Sequence, residues 1–278
     1  MAVVLDKTQL PELLDGLEKS LPRSLKVHGD LKALLSGQWP GIDFVVDRWP
    51  DFSVVITKYD PTKTKCQYIN HWCSIFCQDE NAFKMLLEQP IAVDWSRRIM
   101  FDAVDLPLLD ILKETIKRIG SRICFEASTQ MLQVTADSLV VVPVPEHLNM
   151  KSLESRNEVV ETIAANWPYS EPGVEEFIRQ MIDTFPSRCL VDKEDNLIGY
   201  AIGESWMLGM LFVKPEYRGR GYGKVIMSQL ASVYVRSGDS PVVCIVLDNP
   251  VSIKMHEQIG FKVIPGVTPS WMRSEPVN

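Results

Sequence analysis

The chain has no surplus of positive charge. Its 29 Lys and Arg are outnumbered by 36 Asp and Glu, for a formal net charge of −7. That argues against nucleic acid as the main ligand, because binding to a phosphate backbone draws on an excess of cations. No apolar run approaches the ~20 residues of a membrane-spanning helix, so no membrane partner is expected. No secretory leader is expected either, since Asp6, Glu12 and Asp15 interrupt the first residues. The first arginine is Arg23, with acidic residues before it, which fits a transit peptide poorly. Cysteine is sparse. Residues 66, 73, 77, 124, 189 and 244 lie scattered, as reduced thiols in an intracellular protein would. His71, Cys73 and Cys77 are neighbours, but no second Cys or His pair has zinc spacing. Tyr68, Trp72, Ile75 and Phe76 make this an apolar strand, so core cysteines and no metal are expected. Cys244 lacks an adjacent base and reads as packing, not as an acyl-carrying nucleophile. There is no repeat or low-complexity segment. At 278 residues and 46% hydrophobic, the chain has room for two ordinary globular domains.

Two nucleotide signatures are absent as well. No Gly-x4-Gly-Lys-Ser/Thr occurs, and no Gly-x-Gly-x-x-Gly. What is present is Val213-Lys-Pro-Glu-Tyr-Arg-Gly-Arg-Gly-Tyr-Gly-Lys224, between an apolar run that includes Leu211 and Phe212 and a helical run from Val225 to Arg236. Gly219, Gly221 and Gly223 let a ligand approach the main chain closely. Arg218, Arg220 and Lys224 supply positive charge, and the first amides of the following helix have no internal partner. Strand end, glycines, cations and helix start together predict a phosphate cradle, flanked by Tyr217 and Tyr222.

Around it, Val242–Val246 reads as a buried parallel strand, Asn249-Pro250 as the cap and first position of a helix closing at Gly260, and 261–264 as a last strand. In the first half, 10–21 reads as a helix, and 24–27, 44–46, 52–57 and 68–76 as strands. Helices are expected over 79–88 and 106–119, then short strands over 123–127 and 131–134. Residues 139–145 read as the strand opening the second half. Helices over 148–165 and 175–184 follow, then a hairpin of 188–191 with 197–202. The expected division is 1–135 and 136–278, with the joint over 134–137. Only the second part carries the cradle.

Arg218-x-x-Gly221-x-Gly223 after Val-x-Pro-x-Tyr resembles the pyrophosphate loop of GCN5-related N-acetyltransferases (GNAT). Leu21-Pro-x-Ser-Leu-Lys-Val-x-Gly29, Val46-Asp-x-Trp-Pro-Asp-Phe52 and Phe185-Pro-Ser-x-Cys-Leu190 resemble the glycine N-acyltransferase family within that superfamily. The likeness spans both halves and is weak between about 60 and 135. It implies an α/β (α+β) fold of two acetyltransferase-like domains, each a mixed sheet flanked by helices, the second binding acyl-CoA. The implied reaction joins acyl-CoA to an amino acid such as glycine. The implied compartment is the mitochondrion, with the cytoplasm as the alternative. Leu211, Phe212, Val213, Arg218, Gly219, Arg220, Gly221, Tyr222, Gly223, Lys224 and Asn249 are the expected coenzyme contacts. The loop is richer in glycine than that of the family's acyltransferases, which leaves the acceptor amine open.

The superfamily often uses a Glu near the strand before this loop as base, and in this chain Met207 stands at that position. Glu204 is the nearest carboxylate. The resemblance also puts a tyrosine where His256 stands, four residues before Gly260-Phe261, and there it protonates the departing thiolate. Glu204 as base and His256 as acid are therefore the catalytic expectation. Two other readings stay open: a protein or polyamine N-acetyltransferase, and a coenzyme-binding module without turnover.

Overall fold

The structure, a computed structural model, describes residues 2–39, 41–60, 62–64 and 66–277. Contacts divide the chain into two units: 1–129 together with 266–278, and 130–265.

In the first unit the elements run β1 (Val3–Val4), α1 (Leu10–Glu18), α2 (Leu25–Leu35), β2 (Ile42–Val46), β3 (Val54–Tyr59), β4 (Trp72–Cys77), α3 (Glu80–Leu87), β5 (Ile99–Asp105), α4 (Leu106–Arg118) and β6 (Ser121–Gln133). β1 to β4 form an antiparallel meander, and β5 pairs parallel to β4. One face carries the apolar core: Val54, Ile56, Ile75, Phe101 and Leu112 pack with Phe83 of α3. The other face is polar where α2 lies. Thr57, Ser74 and Asp102 stand side by side across β3, β4 and β5 and are all buried. Lys26 of α2 reaches down to Asp102 at 3.1 Å and pairs with Asp30 at 2.6 Å. A buried lysine is tolerable only with such partners.

The second unit continues with β7 (Asn149–Lys151), α5 (Asn157–Asn166), α6 (Val174–Thr184), β8 (Ser187–Val191), β9 (Leu197–Gly203), β10 (Leu208–Val213), α7 (Tyr222–Arg236), β11 (Val242–Val246), α8 (Pro250–Glu257) and β12 (Lys262–Val263). β10, β9, β8 and β7 form an antiparallel sheet. The turn between β8 and β9 is set by Asp192, whose carboxylate accepts from the amides of Glu194 and Asn196. α7 lies across β8, β9 and β10, with Leu230, Ile226 and Val225 in a core shared with Leu190, Ile198 and Leu208. Among the described residues, no helix is long and apolar enough to cross a membrane.

Several expectations are corrected. Residues 24–27 are not a strand but the start of α2. Leu25 and Val27 alternate, but Val27 and Leu31 are both buried and Lys26 pairs with Asp30, each one helical turn apart. The two short strands over 123–134 are one strand, β6. Residues 139–145 form no strand. Pro143 and Pro145 cannot donate to a ladder, and the segment is tied to α7 instead. The Val142 amide donates to Ser228 Oγ at 3.0 Å, and Gln229 Nε2 donates to the Val142 carbonyl at 3.0 Å. The helix expected over 148–165 shortens to α5, behind the three-residue strand β7. The last strand is not 261–264 but a thirteenth, β13 (Pro269–Pro276), which lies between β5 and β6 and returns the chain to the first unit. The expected division at 135/136 did not anticipate this return.

Candidate functional site

Just before β10, Met207 forms a parallel bridge with Val242 of β11. β10 pairs with β9 on its other edge. Beyond that bridge no ladder pair joins β10 to β11 among the described residues, so one edge of β10 is left open. A bulge accompanies the opening. The register against β9 shifts between Gly209 and Phe212, and Met210 has φ of 49°. An extra residue of this kind bends a strand and increases its twist. Leu211, Phe212 and Val213, although apolar, are only half-buried along this stretch.

The predicted cradle follows directly. Gly219 and Gly221 take φ of 75° and 80°, a region glycine enters without steric penalty. α7 then starts at Tyr222. The amides of residues 219–223 find no main-chain acceptor among the described residues. Nothing lies within 4 Å of where a Cβ would sit on Gly219. Both arginines are tied to nearby main chain, Arg218 to the end of β10 and Arg220 to the loop. Arg218 Nε donates to the Val213 carbonyl at 2.9 Å, and its guanidinium lies over Phe212. Arg220 Nη2 donates to the Glu216 carbonyl at 3.1 Å, over Tyr217. Lys224 folds its stem toward Gly221, and Leu211 approaches Gly223. Open amides, a helix N-terminus and three cations thus lie together at the end of an apolar strand edge, an arrangement with the chemistry to take an anion. Asn249 caps α8, its Oδ1 accepting from the Ser252 amide at 3.1 Å. Tyr222 is buried and packs near Tyr217.

Glu204 lies in the turn between β9 and β10, its amide donating to the Met207 carbonyl at 2.7 Å. Its Oε1 lies 3.4 Å from where a Cβ would sit on Gly209, and the Met207 methyl lies 3.8 Å from the same point. The two side chains thus converge on the first residues of β10, although three positions separate them.

His256 is 3% exposed, and its Nδ1 lies 2.9 Å from the Ser252 carbonyl. A carbonyl only accepts, so Nδ1 carries the proton and Nε2 is a buried lone pair with no partner among the described residues. Burial pulls its pKa down to about 4, against a smaller opposing effect of the Ser252 bond. Against expectation, His256 has no imidazolium to give at neutral pH. Burial also pushes the thiols of Cys73 and Cys77 up to about 12, so neither is a thiolate. Among the described residues, no group of three or more His, Cys, Asp or Glu could hold a metal ion.

Sequence reasoning passed over Gly203 and Tyr234. A Cβ on Gly203 would collide with Tyr234 Oη. Tyr234 lies in the last turn of α7, and nothing in the sequence pairs it with residue 203.

Residues 1–186 match the sequence profile of a family described as aralkyl acyl-CoA:amino acid N-acyltransferase, and residues 200–272 match one described as FR47-like protein. The chain is 24% identical to a glycine N-acyltransferase of Bos taurus over 96% of its own length and 98% of that protein's. It is 27% identical to the glycine N-acyltransferase of Homo sapiens, over 80% and 81%. Among solved structures, a Drosophila protein superposes with a TM-score of 0.83 at 18% identity, covering 99% of this chain and 98% of that one. A tandem GNAT protein from the clavulanic acid biosynthesis pathway gives 0.58 at 13%, over 100% and 99%. At these identities the structural likeness establishes the fold alone, mixed sheets flanked by helices in the GNAT manner.

Proposed function

This chain belongs to the aralkyl acyl-CoA:amino acid N-acyltransferase family, and from that premise we propose that it transfers the acyl group of an acyl-CoA to the amino group of a small amino acid, with glycine the first acceptor to test. It is an acyl-CoA-dependent N-acyltransferase. The observation that carries the finer reading is the open edge of β10 leading straight into the amide cradle at 219–223. A long, partly amide-bearing thiol ester can lie along that edge between Leu211, Phe212 and Val213, with its pyrophosphate on the amides of the cradle. Arg218, Arg220 and Lys224 then supply the positive field that the acidic chain as a whole does not.

In this reading the acceptor amine attacks the thioester carbonyl carbon. The C–N bond forms, the C–S bond breaks, and the ammonium proton passes to Glu204 directly or through water. The thiolate is a competent leaving group, so the neutral His256 is not needed as an acid. A second reading, coenzyme binding without turnover, draws on Met207 at the position where the family has its base.

Release of free thiol from a panel of acyl-CoAs, with and without glycine, separates the two. Turnover that depends on glycine supports the transferase, and binding without thiol release supports the module. Within the transferase reading, Glu204→Gln lowers kcat by ~10²-fold, leaves CoA affinity nearly unchanged, and is partly rescued at high pH, where more amine is already deprotonated. Wild-type turnover in that variant across pH 6–9 (bracketing ~6.5) would remove Glu204 from the reaction.

A further inference from the structure

The hydroxyl of Tyr234 is buried and has no hydrogen-bond partner among the described residues. A donor left in that state destabilises a fold, and phenylalanine would fill the same space without the penalty. The ring is also held tightly. Tyr234 Oη presses on the bare main chain of Gly203, where a Cβ would collide with it and would lie 2.7 Å from Cζ. Gly203 itself is pinned, its amide donating to the Pro186 carbonyl at 2.9 Å. The next residue is Glu204, whose amide closes the turn to Met207. The charged groups that act on the phenol are Glu204 and Asp239, both acids. Burial first, then these two carboxylates, push its pKa well above the ordinary tyrosine value, so it remains a proton-bearing donor throughout the working pH range. One helix therefore links the two ends of the site: α7 begins in the phosphate cradle and carries Tyr234 in its last turns.

We propose that Tyr234 is a positioning residue for Glu204: its ring seats the Gly203–Met207 turn, and its otherwise unused hydroxyl donates to the Glu204 carboxylate when the acceptor amine is bound. This rests on the reading of Glu204 as base. A donor to the carboxylate favours its charged form, the form a base needs.

The test is Tyr234→Phe, measured beside Glu204→Gln and Asp239→Asn in the full chain with acyl-CoA and glycine. The expected result has three parts. kcat falls about tenfold with CoA affinity unchanged. The acid limb of the kcat profile, which reports the bound complex, moves to higher pH, because the carboxylate has lost a donor to its charged form. The melting temperature holds or rises, because an unpaired buried hydroxyl has gone. A purely structural role would move stability and leave the pH profile in place. Asp239→Asn is expected to leave the acid limb where it is. If Glu204→Gln is impaired but Tyr234→Phe keeps both wild-type turnover and the wild-type limb, the positioning role is overturned and the base reading stands. If Glu204→Gln is itself silent, both fall. A lower melting temperature in Tyr234→Phe would show that the hydroxyl already has a partner, and would overturn the proposal too.

Discussion

His256 shows how burial decides what an ionisable group can do. An exposed histidine at the C-terminal end of a helix gains a proton easily. This one is enclosed beside Phe261, whose ring meets it edge-on at 5.3 Å, and its single ring proton is engaged by Ser252. Its pKa of about 4 in the folded chain lies below the ordinary value of 6.5. A histidine depressed in this way favours folding above pH 6.5, and that contribution drains away as pH falls toward 4, where the unfolded chain takes the proton first. The difference is worth about 3 kcal/mol over that window. Urea unfolding at pH 7 and pH 4, in the wild type and in His256→Tyr, measures it. The wild type should lose about 3 kcal/mol more than the variant, and equal losses would place the acid sensitivity elsewhere.

At the scale of elements, the site is the junction of β10 with α7. Among the described residues the bulge at Met210 and the lone bridge between Met207 and Val242 leave the strand edge open, and the loop that follows turns on two left-handed glycines. Gly221 is the N-cap of α7, and its φ of 80° is one that a β-branched residue adopts only under strain. Gly221→Val would either twist the cradle or place methyl groups where phosphate must approach. The expected result is a Kd for CoA raised about 30-fold, or about 2 kcal/mol, by calorimetry. An unchanged Kd would mean that the anion binds elsewhere. Arg218 and Arg220 lie on the two sides of Gly219 in a tight loop. Both lie against aromatic rings, and they donate to the end of β10 and to the loop respectively, so each stiffens the loop as well as charging it.

At the scale of the whole molecule, the end of the chain belongs with its beginning. β13 lies between β5 and β6, and its Met272 is wholly buried in the first unit's core. A chain stopped after Pro265 keeps the cradle, the open edge and Glu204, and loses a central strand of the first unit. Two unpaired strand edges and a core cavity would remain, a combination that favours aggregation. The truncated chain is expected to lose the cooperative unfolding of the first unit, seen by calorimetry or hydrogen exchange over β2 to β5. A truncated chain with that transition intact would show β13 to be dispensable.

The glycine loop leading into α7, β11 and the capped helix at Asn249 were legible in residues because each rests on local rules. Glycine supplies positive φ, a helix start offers free amides, and an asparagine caps the turn that follows it. The family likeness was legible for the same reason, in short runs of neighbouring residues. α2 was misread because its evidence is a buried Lys26 whose partner Asp102 lies across the unit, and four residues of alternation imitate a strand. β13 was missed because its sequence is half polar. Ser270, Met272 and Ser274 are buried by neighbours, β5, β6 and the α4 residues of the core, that are distant in the chain. The state of His256, the meeting of Glu204 with Gly209 and the seat of Tyr234 on Gly203 were equally invisible. Burial, hydrogen-bond supply and close approach belong to the packed molecule, and no spacing of residues along the chain encodes them.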